Sequence, residues 1–443
     1  MCKLFVAITL RLWYGIQDKS TNFEVYLEQI NRKAFAIDSA SLLFLSTIQK
    51  NHTNSFRFSM TLTEEICPEI LQKAVDNIYR RFPTIIAGFH PGFFHYTQVP
   101  ASAPPRVLQD PGILHTMEKA EIHNCAYRVL YRKNTIAIEA FHALTDGFGA
   151  ISSITTLAAE YLRIKAKVLI PHNSALPDPQ QEPVPEETSD AYLHYQAGAP
   201  LLVPSRYSYQ LPGDVPSVHG VRIFQRRLPT KALLDASRKH DVSMTVLLST
   251  LMAEAVMELQ HKHAAGKKHK PVRIMIPMDL RKMFPSHTLR NFVLYALPTL
   301  EPQDQCLPLQ ERLHNFKHQI QTQLERSRLA SIMAYNVRTQ QAWYFRFIPW
   351  ALKSLCLRIG YRIFGGSNSC MTITNLGNVQ LPEEMRPYVT DFEVMLTPRA
   401  KSPYNFAILS YNGTSTINIS RFGESTELEE RFFRKLSHIL ETI

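Results

Sequence analysis

Alternating apolar and polar residues define a hairpin in the first half of the chain. Residues 126–132 and 135–141 both alternate with the period of a strand, and the turn residues Lys133-Asn134 lie between them. From 148 to 162 the apolar residues recur at helical spacing instead. The pattern therefore predicts strand, turn, strand, short loop and helix. A loop at the end of a strand is a common place for functional side chains, because the strand holds them rigidly.

The second half has the same mixture of periods. Ser243 stands where a helix N-cap is expected. Asn412-Gly413 is a strong signal for a two-residue hairpin turn. Both halves thus predict an α/β chain in which mixed sheets are covered by helices. The predicted elements are helices over 228–240 and 243–260, a strand from Val272, strands over 404–411 and 415–421, and a helix from Thr426.

The length of the chain and one proline-rich segment predict two domains. The chain has 443 residues, 45% of them hydrophobic, which is more than one domain usually contains. Residues 171–216 are rich in proline, include the acidic pair Glu186-Glu187 and lack sustained periodicity, which is typical of a linker or crossover. We therefore expect an N-terminal domain over 1–170 and a C-terminal domain over 217–443.

The loop after the predicted hairpin carries candidate chemistry in the run His142-Ala-Leu-Thr-Asp146-Gly147. An unperturbed imidazole titrates close to neutral pH, so His142 could take a proton from a hydroxyl or an amine. Asp146 could either orient that imidazole or hold the loop by pairing with an arginine. Gly147 allows backbone freedom or a close approach that a Cβ would resist. The alternative is a histidine that ends a strand beside an ordinary Asp-Gly turn.

Three later segments follow this motif in a characteristic order, at 241–248, 274–281 and 373–377. With His142 they make the chain resemble the chloramphenicol acetyltransferase and condensation-domain superfamily, especially its bacterial alcohol O-acetyltransferase-like members with an HxxxDG motif. Two features of this sequence differ from the patterns of that superfamily. Phe141-His142 stands where many have two adjacent histidines, and the Asp-Phe-Gly-Trp-Gly segment of the plant branch has no counterpart, which disfavours that branch. The resemblance implies two similar domains with an active-site tunnel at their interface.

The resemblance also implies roles for particular residues. His142 would be the general base, and Asp146 would be a structural anion at the active site, beside Gly147, with Arg281 as its salt-bridge partner. Thr374 or Asn375 would donate a hydrogen bond to the oxyanion that forms when a thioester carbonyl is attacked. The alternatives are an exposed strand-end charge for Arg281 and an ordinary Asn-Leu-Gly turn that ends a strand.

The net charge of the chain indicates which classes of partner it could bind. Lys and Arg number 49 against 38 acidic residues, a formal charge of +11, which suits the phosphates of coenzyme A. Residues 260–270 look like a basic nucleic-acid patch, but they fall between a predicted helix and a strand, and no binding motif accompanies them. The patch could instead meet a coenzyme phosphate or an acidic carrier protein. His261 and His263 lack a clear set of further metal ligands. We expect no metal, no permanently bound cofactor and no nucleic acid.

The cysteines and the start of the chain predict a cytoplasmic protein. Six cysteines are scattered without a Cys-x-x-Cys pair, as expected for reduced thiols. The apolar run from Met1 is interrupted by Arg11 and has no convincing cleavage site, which disfavours a signal peptide.

The segment 343–360 is aromatic, basic and broken by Pro349. Its charges disfavour a membrane-spanning helix, which needs about 20 mostly apolar residues. We expect two helices that cover the domain interface and line the acceptor tunnel, since aromatic stripes usually pack inward. Such a lining would suit a lipophilic alcohol. A surface-bound helix with peripheral membrane contact is the alternative.

These observations predict a monomeric O-acyltransferase that moves an acyl group, acetyl in the first instance, from coenzyme A to an alcohol without a covalent intermediate. Two alternatives stay open at this stage. The donor could be a carrier-protein thioester, as in condensation domains and polyketide-associated acyltransferases. The chain could also be a non-catalytic binding module of the same fold.

Overall fold

The structure is a computed structural model. It describes residues 34–48, 54–112, 114, 116–173, 175–196, 198–204, 206–212, 221–263, 268–360, 367–398 and 402–442. The expectations made for the apolar start of the chain and for Cys2 lie outside the described residues, as does part of the basic segment 260–270.

Fifteen described strands form three sheets. The order is β1-β4-β3 in the first sheet, β13-β2-β7-β6-β5 in the second, and β10-β9-β12-β14-β15-β8 in the third, where β11 also pairs with β9. Most neighbours are antiparallel, but β5 with β6, and β12 with both β9 and β14, are parallel. The strands are β1 (Phe35–Ala36), β2 (Ser55–Leu62), β3 (Ala87–Pro91), β4 (Tyr96–Pro100), β5 (Val107–Gln109), β6 (Tyr127–Arg132), β7 (Thr135–Phe141), β8 (Arg222–Pro229), β9 (Val272–Asp279), β10 (Val293–Ala296), β11 (Thr299–Leu300), β12 (Met371–Asn378), β13 (Val389–Leu396), β14 (Tyr404–Tyr411) and β15 (Thr414–Arg421).

Helices cover the sheets. The five-stranded sheet packs on α2 and α4 in one apolar cluster, and the largest sheet packs on α6 and α11 in another. The helices are α1 (Ser39–Ser46), α2 (Pro68–Ile78), α3 (Lys119–Asn124), α4 (Gly147–Ala166), α5 (Thr230–Lys239), α6 (Met244–His263), α7 (Leu309–Gln323), α8 (Arg326–Gln341), α9 (Trp343–Phe347), α10 (Trp350–Gly360) and α11 (Glu427–Glu441). The predicted α/β class, with mixed sheets covered by helices in two lobes, is confirmed.

Local patterns located most of the predicted elements. Both predicted hairpins form, and Asn412 and Gly413 adopt the positive φ angles of 46° and 78° that the turn requires. Ser243 caps α6 as predicted, since its Oγ accepts a hydrogen bond from the Val246 amide at 3.2 Å. The helix predicted from Leu228 instead begins at Thr230. Leu228 still pairs with Ser415 in the β8–β15 ladder, which extends the strand to Pro229.

Two features join the halves of the chain. Strand β13, from the second half, pairs along β2 in the sheet built by the first half. Within the proline-rich segment, Glu187 forms a two-fold hydrogen-bonded ion pair with Arg81 at 2.7 and 2.8 Å, and the Tyr192 hydroxyl donates to the Val293 carbonyl at 2.7 Å. The described part of this segment is therefore an anchored crossover. The domain boundaries at 170 and 217 stay predictions.

Membrane-spanning potential is limited in the described residues. No single helix there combines the length and the apolar composition needed to cross a bilayer, although the bent pair α5 and α6, at 82°, would pass on those two criteria together.

Candidate active site

His142 lies directly after β7, with its ring between aromatic neighbours. Its backbone amide donates to the Asn54 carbonyl at 2.8 Å, which continues the pairing of β7 with β2. The half-buried imidazole stacks on Phe44 at 4.4 Å between ring centroids and 17° between planes, and it meets the edge of Phe56 at 5.1 Å. A ring fixed by stacking on one neighbour and edge contact with another has little rotational freedom.

Asn291 is a partner of the His142 imidazole that no sequence pattern indicated. Its Nδ2 donates to the carbonyls of His142 and Ala143 at 3.0 and 3.4 Å, which orients the amide. Its Oδ1 then lies 3.3 Å from His142 Nδ1. An amide oxygen only accepts, so a hydrogen bond here requires the tautomer with the proton on Nδ1. In that tautomer Nε2 is the basic nitrogen of His142.

Asp146 caps helix α4 and is almost fully buried. Its Oδ1 accepts from the amides of Phe148 and Gly149 at 3.1 and 3.4 Å. Its Oδ2 accepts from the Phe292 amide at 2.8 Å and from Arg281 Nη1 at 2.8 Å. Both oxygens are occupied by these bonds, so the carboxylate ties the start of α4 to the β9–β10 connection. This geometry is that of a structural anion.

Arg281 completes this buried network. Its guanidinium contacts Asp146 and Asp279, donates to the carbonyls of Thr288 and Arg290, and lies 4.6 Å from the Phe148 ring centroid. Burial acts to lower the pKa of Arg281, but the two carboxylates outweigh it and the pKa is raised. The ion pair implied for Asp146 and Arg281 is therefore present, and Arg281 is not an exposed strand-end charge.

Of Gly147 and Gly149, Gly149 is the position where a side chain would be less tolerated. A Cβ at Gly149 would lie 2.3 Å from the Leu289 carbonyl oxygen, which is backbone and cannot move aside. A Cβ at Gly147 would meet only the tip of the Leu376 side chain, at 2.7 Å. Close approach is thus stricter at Gly149 than at the predicted Gly147, because helix α4 begins against the 289–292 backbone.

The contact between Gly147 and Leu376 brings the end of β12 next to the motif loop. The register of β12 against β14 shifts between Asn375 and Asn378. Asn375 Nδ2 donates to Thr245 Oγ1 at 3.0 Å, and its Oδ1 accepts from the Gly377 amide. The side chain of Asn375 is therefore bonded to these two neighbours, and the oxyanion role expected of Thr374 or Asn375 stays a prediction.

Helix α1 covers the motif loop from the other side. Ser41 Oγ lies 2.6 Å from the Ala143 carbonyl oxygen and 2.8 Å from Asp38 Oδ1, which caps the helix. Arg290 approaches Asp38 at 3.4 Å and donates to the Ala36 carbonyl at 2.7 Å. These contacts explain why Phe44 stacks on His142. No expectation was made for this helix from the sequence, and the Asp38-x-x-Ser41 spacing would not identify a partner 102 residues away.

Taken together, the geometry places an imidazole in a partly buried, aromatic setting with an amide oxygen beside its Nδ1. The nearby Asp146 carboxylate is bonded to Arg281 and to backbone amides. Among the described residues, no three His, Cys, Asp or Glu side chains converge as metal ligands. Such a site suits proton transfer from a substrate hydroxyl or amine.

Comparison with solved structures shows the fold. The epimerization domain from the third module of tyrocidine synthetase B superposes with a TM-score of 0.56 at 12% identity, covering 93% of this chain and 96% of that domain. Polyketide synthase associated protein 5 from Mycobacterium tuberculosis gives 0.56 at 12% identity, covering 91% and 97%. Trichothecene 15-O-acetyltransferase from Fusarium sporotrichioides gives 0.56 at 10% identity, covering 92% and 95%.

These matches span nearly the whole of both chains, so the similarity extends over both lobes. No protein-family model matches the chain, and no curated protein is similar enough in sequence to count as a match. The fold of condensation domains and of this acetyltransferase, inferred from short motifs, is confirmed by the structure.

Proposed function

We propose that this chain is an acyltransferase in which His142 is the general base. The observation that carries the proposal is the place of His142 at the end of β7, with Asn291 Oδ1 3.3 Å from its Nδ1, because an acceptor at Nδ1 favours the tautomer in which Nε2 is the basic nitrogen. The two-lobed fold, which an acetyltransferase also has, supports the same reaction class.

The proposed reaction is a direct transfer. His142 Nε2 takes the proton of an acceptor hydroxyl as its oxygen forms a bond to the thioester carbonyl carbon. The carbonyl oxygen becomes an oxyanion, to which the Thr374 hydroxyl donates a hydrogen bond. The carbon–sulfur bond then breaks, and Nε2 returns the proton to the thiolate. The products are an ester and a free thiol, and no acyl-enzyme forms.

The proposed donor is an acyl-coenzyme A, and acetyl is the first acyl group to test. The proposed acceptor is an alcohol. The formal charge of +11 favours a donor with several phosphates. Nothing in the proposal requires a resident cofactor, since the base and the oxyanion donor are side chains of the chain itself.

A carrier-protein thioester is the second candidate donor. It is favoured by the similarity to domains of nonribosomal peptide synthetases and to the condensation domain from Monacolin K polyketide synthase. A phosphopantetheine thioester presents the same carbonyl to His142, so both donors use the same chemistry.

The experiment is a donor comparison with product detection. Purified protein is incubated with primary alcohols and either acetyl-coenzyme A, longer acyl-coenzymes A or an acyl carrier protein, and the ester is measured by mass spectrometry. Ester from the free coenzyme A thioesters supports the first candidate, and ester only from the carrier supports the second. No product from any donor would favour a binding module.

A further inference from the structure

Helix α10 buries two polar side chains and exposes three large apolar ones. Lys353 and Ser354 are 1% and 7% exposed, whereas Leu352, Leu355 and Ile359 are 52%, 53% and 49% exposed. The helices of a water-exposed surface have the opposite arrangement. The expectation that this segment packs its apolar stripe inward is therefore wrong for α10.

The polar interior of α10 is well bonded, which fixes this orientation. Lys353 Nζ donates to the Phe94 carbonyl at 3.1 Å, lies 3.3 Å from His95 Nδ1 and is 4.6 Å from the Phe345 ring centroid. Burial lowers the pKa of Lys353. The Trp350 amide donates to the Phe93 carbonyl at 2.7 Å. The lysine thus holds the β3–β4 turn against α10 and turns the leucines outward.

The exposed apolar surface continues beyond α10. Phe347 of α9 is 68% exposed, and its ring centroid lies 6.3 Å from that of Phe94 in an edge-to-face arrangement. The Phe94 and Phe93 ring centroids are 4.7 Å apart. Exposed apolar side chains in one contiguous area mark a surface that is covered in use. We call this area the apolar patch; its residues are Phe93, Phe94, Trp343, Phe347, Leu352, Leu355 and Ile359.

The sequence stretch that contributes most of the apolar patch contains basic residues and no acidic ones. No Asp or Glu occurs between Glu325 and Glu383, a stretch that contains α8, α9 and α10. Exposed aromatic and leucine side chains set among basic residues are the composition of helices that bind anionic membrane surfaces. The basic residues of this stretch of sequence are Arg326, Arg328, Arg338, Arg346, Lys353, Arg358 and Arg362. Lys353 is buried, whereas Arg326, Arg338 and Arg358 are exposed.

We propose that the apolar patch inserts into the interface of an anionic lipid bilayer, with α10 lying flat on the membrane surface. A second copy of this chain fits less well, because two-fold pairing would bring the same basic surfaces together. The proposal goes beyond the acyl-transfer proposal and is tested without any activity assay.

The apolar patch is connected to His142 through helix α1. Arg358 of α10 donates to the Ser46 carbonyl of α1 at 2.8 Å. Phe44 of the same short helix stacks on the His142 imidazole. The membrane-facing helix is therefore in direct contact with the helix that covers His142, which would place the site close to lipophilic molecules in the bilayer.

The test is vesicle flotation of the full-length chain. Wild-type protein should bind vesicles of phosphatidylcholine with about 30 mol % phosphatidylserine at least tenfold more strongly than pure phosphatidylcholine, and salt should weaken the binding. Changing Leu352, Leu355 and Ile359 together to Glu should weaken binding to the anionic vesicles by about tenfold or more.

A control variant replaces three exposed leucines outside the apolar patch with Glu, so that it has the same change of charge as the α10 triple variant. Leu108, Leu169 and Leu202 are 47%, 90% and 62% exposed, and replacing them with Glu should leave more of the binding intact than the α10 triple does. Melting curves of both variants check that they fold. Equal loss in the two triples would show a general charge effect and overturn the proposal.

A second measurement does not depend on the triple variants. The chain has three tryptophans, so W13F leaves Trp343 in the patch and Trp350, which packs on Tyr96. Brominated lipids should quench the fluorescence of W13F on anionic vesicles. Absence of vesicle binding, absence of quenching, or a wild-type dimer that the α10 triple converts to a monomer would each overturn the proposal.

Discussion

Removing the Asp146 carboxylate should destabilise the chain through its buried partners. In Asp146→Ala, the Arg281 guanidinium and the Phe292 amide each lose an acceptor at 2.8 Å, and helix α4 loses its N-cap. Side-chain exposure is only 7% for Arg281 and 3% for Asp146. Removing one partner of a buried ion pair costs about 3–5 kcal/mol, and the cap loss overlaps with that figure.

This loss converts into a shift of the melting temperature. With an unfolding entropy of about 2.1 cal/mol/K per residue, the shift is about 3–5 °C if the whole chain unfolds together, and about twice that if half of it unfolds alone. Asp279→Asn is the matched control. Asp279 contacts the same Arg281 nitrogen at 2.9 Å, but its side chain is 32% exposed, so the shift should be about 1 °C or less.

Thermal unfolding by circular dichroism, with thiol release measured on the same samples, separates two roles for Asp146. A double variant of Asp146→Ala with Arg281→Met should recover part of the loss, because no unpaired buried charge remains. Loss of activity with an unchanged melting curve would refute the structural role and would place Asp146 in the chemistry.

Three further predictions concern neighbouring residues. Asn291→Leu should lower kcat by about 10- to 100-fold with little change in KM, because the imidazole loses the acceptor that orients it. Asn291→Asp keeps an acceptor for Nδ1 and should retain more activity in steady-state kinetics. Gly149→Ala should lower the melting temperature more than Gly147→Ala, since only the former Cβ meets backbone, at 2.3 Å. Burial and the Asp38 carboxylate raise the pKa of Asp190 to about 7. The free energy of unfolding should therefore fall as pH rises from about 4 to about 7, by up to ~1.4 kcal/mol per pH unit. Urea titrations should show that Asp190→Asn removes this pH dependence.

The sign of the Asp190 effect follows from proton binding. Between these pH values the unfolded chain has already released the proton, whereas the folded chain still holds it, so raising the pH favours unfolding. The same stability slope in wild type and Asp190→Asn would show that other groups control this range.

Short-range patterns were sufficient for the elements that hold the site. The hairpin before His142 and the helix after it follow from periodicity alone, because both are local and strongly patterned. The Asp146–Arg281 pair spans 135 residues and was predicted only through the resemblance to a family.

Long-range partners without a local pattern were not predictable. Asn291 reaches His142 across 149 residues, and neither it nor Phe44 stands in a pattern that indicates its partner. The orientation of α10 shows a different limit. Periodicity separates the face of Leu352 and Leu355 from the face of Lys353, but only tertiary contacts, here with the Phe94 carbonyl, decide which face is buried.

Acceptor-dependent thiol release, compared between wild type and His142→Ala, tests the central proposal most directly. We predict that the wild type releases thiol only when an alcohol is present, and that His142→Ala lowers kcat/KM by about a hundred- to ten-thousand-fold with an unchanged melting curve. The exposed His194→Ala serves as the control and should match the wild type. Equal rates in wild type and His142→Ala would contradict a general base at His142.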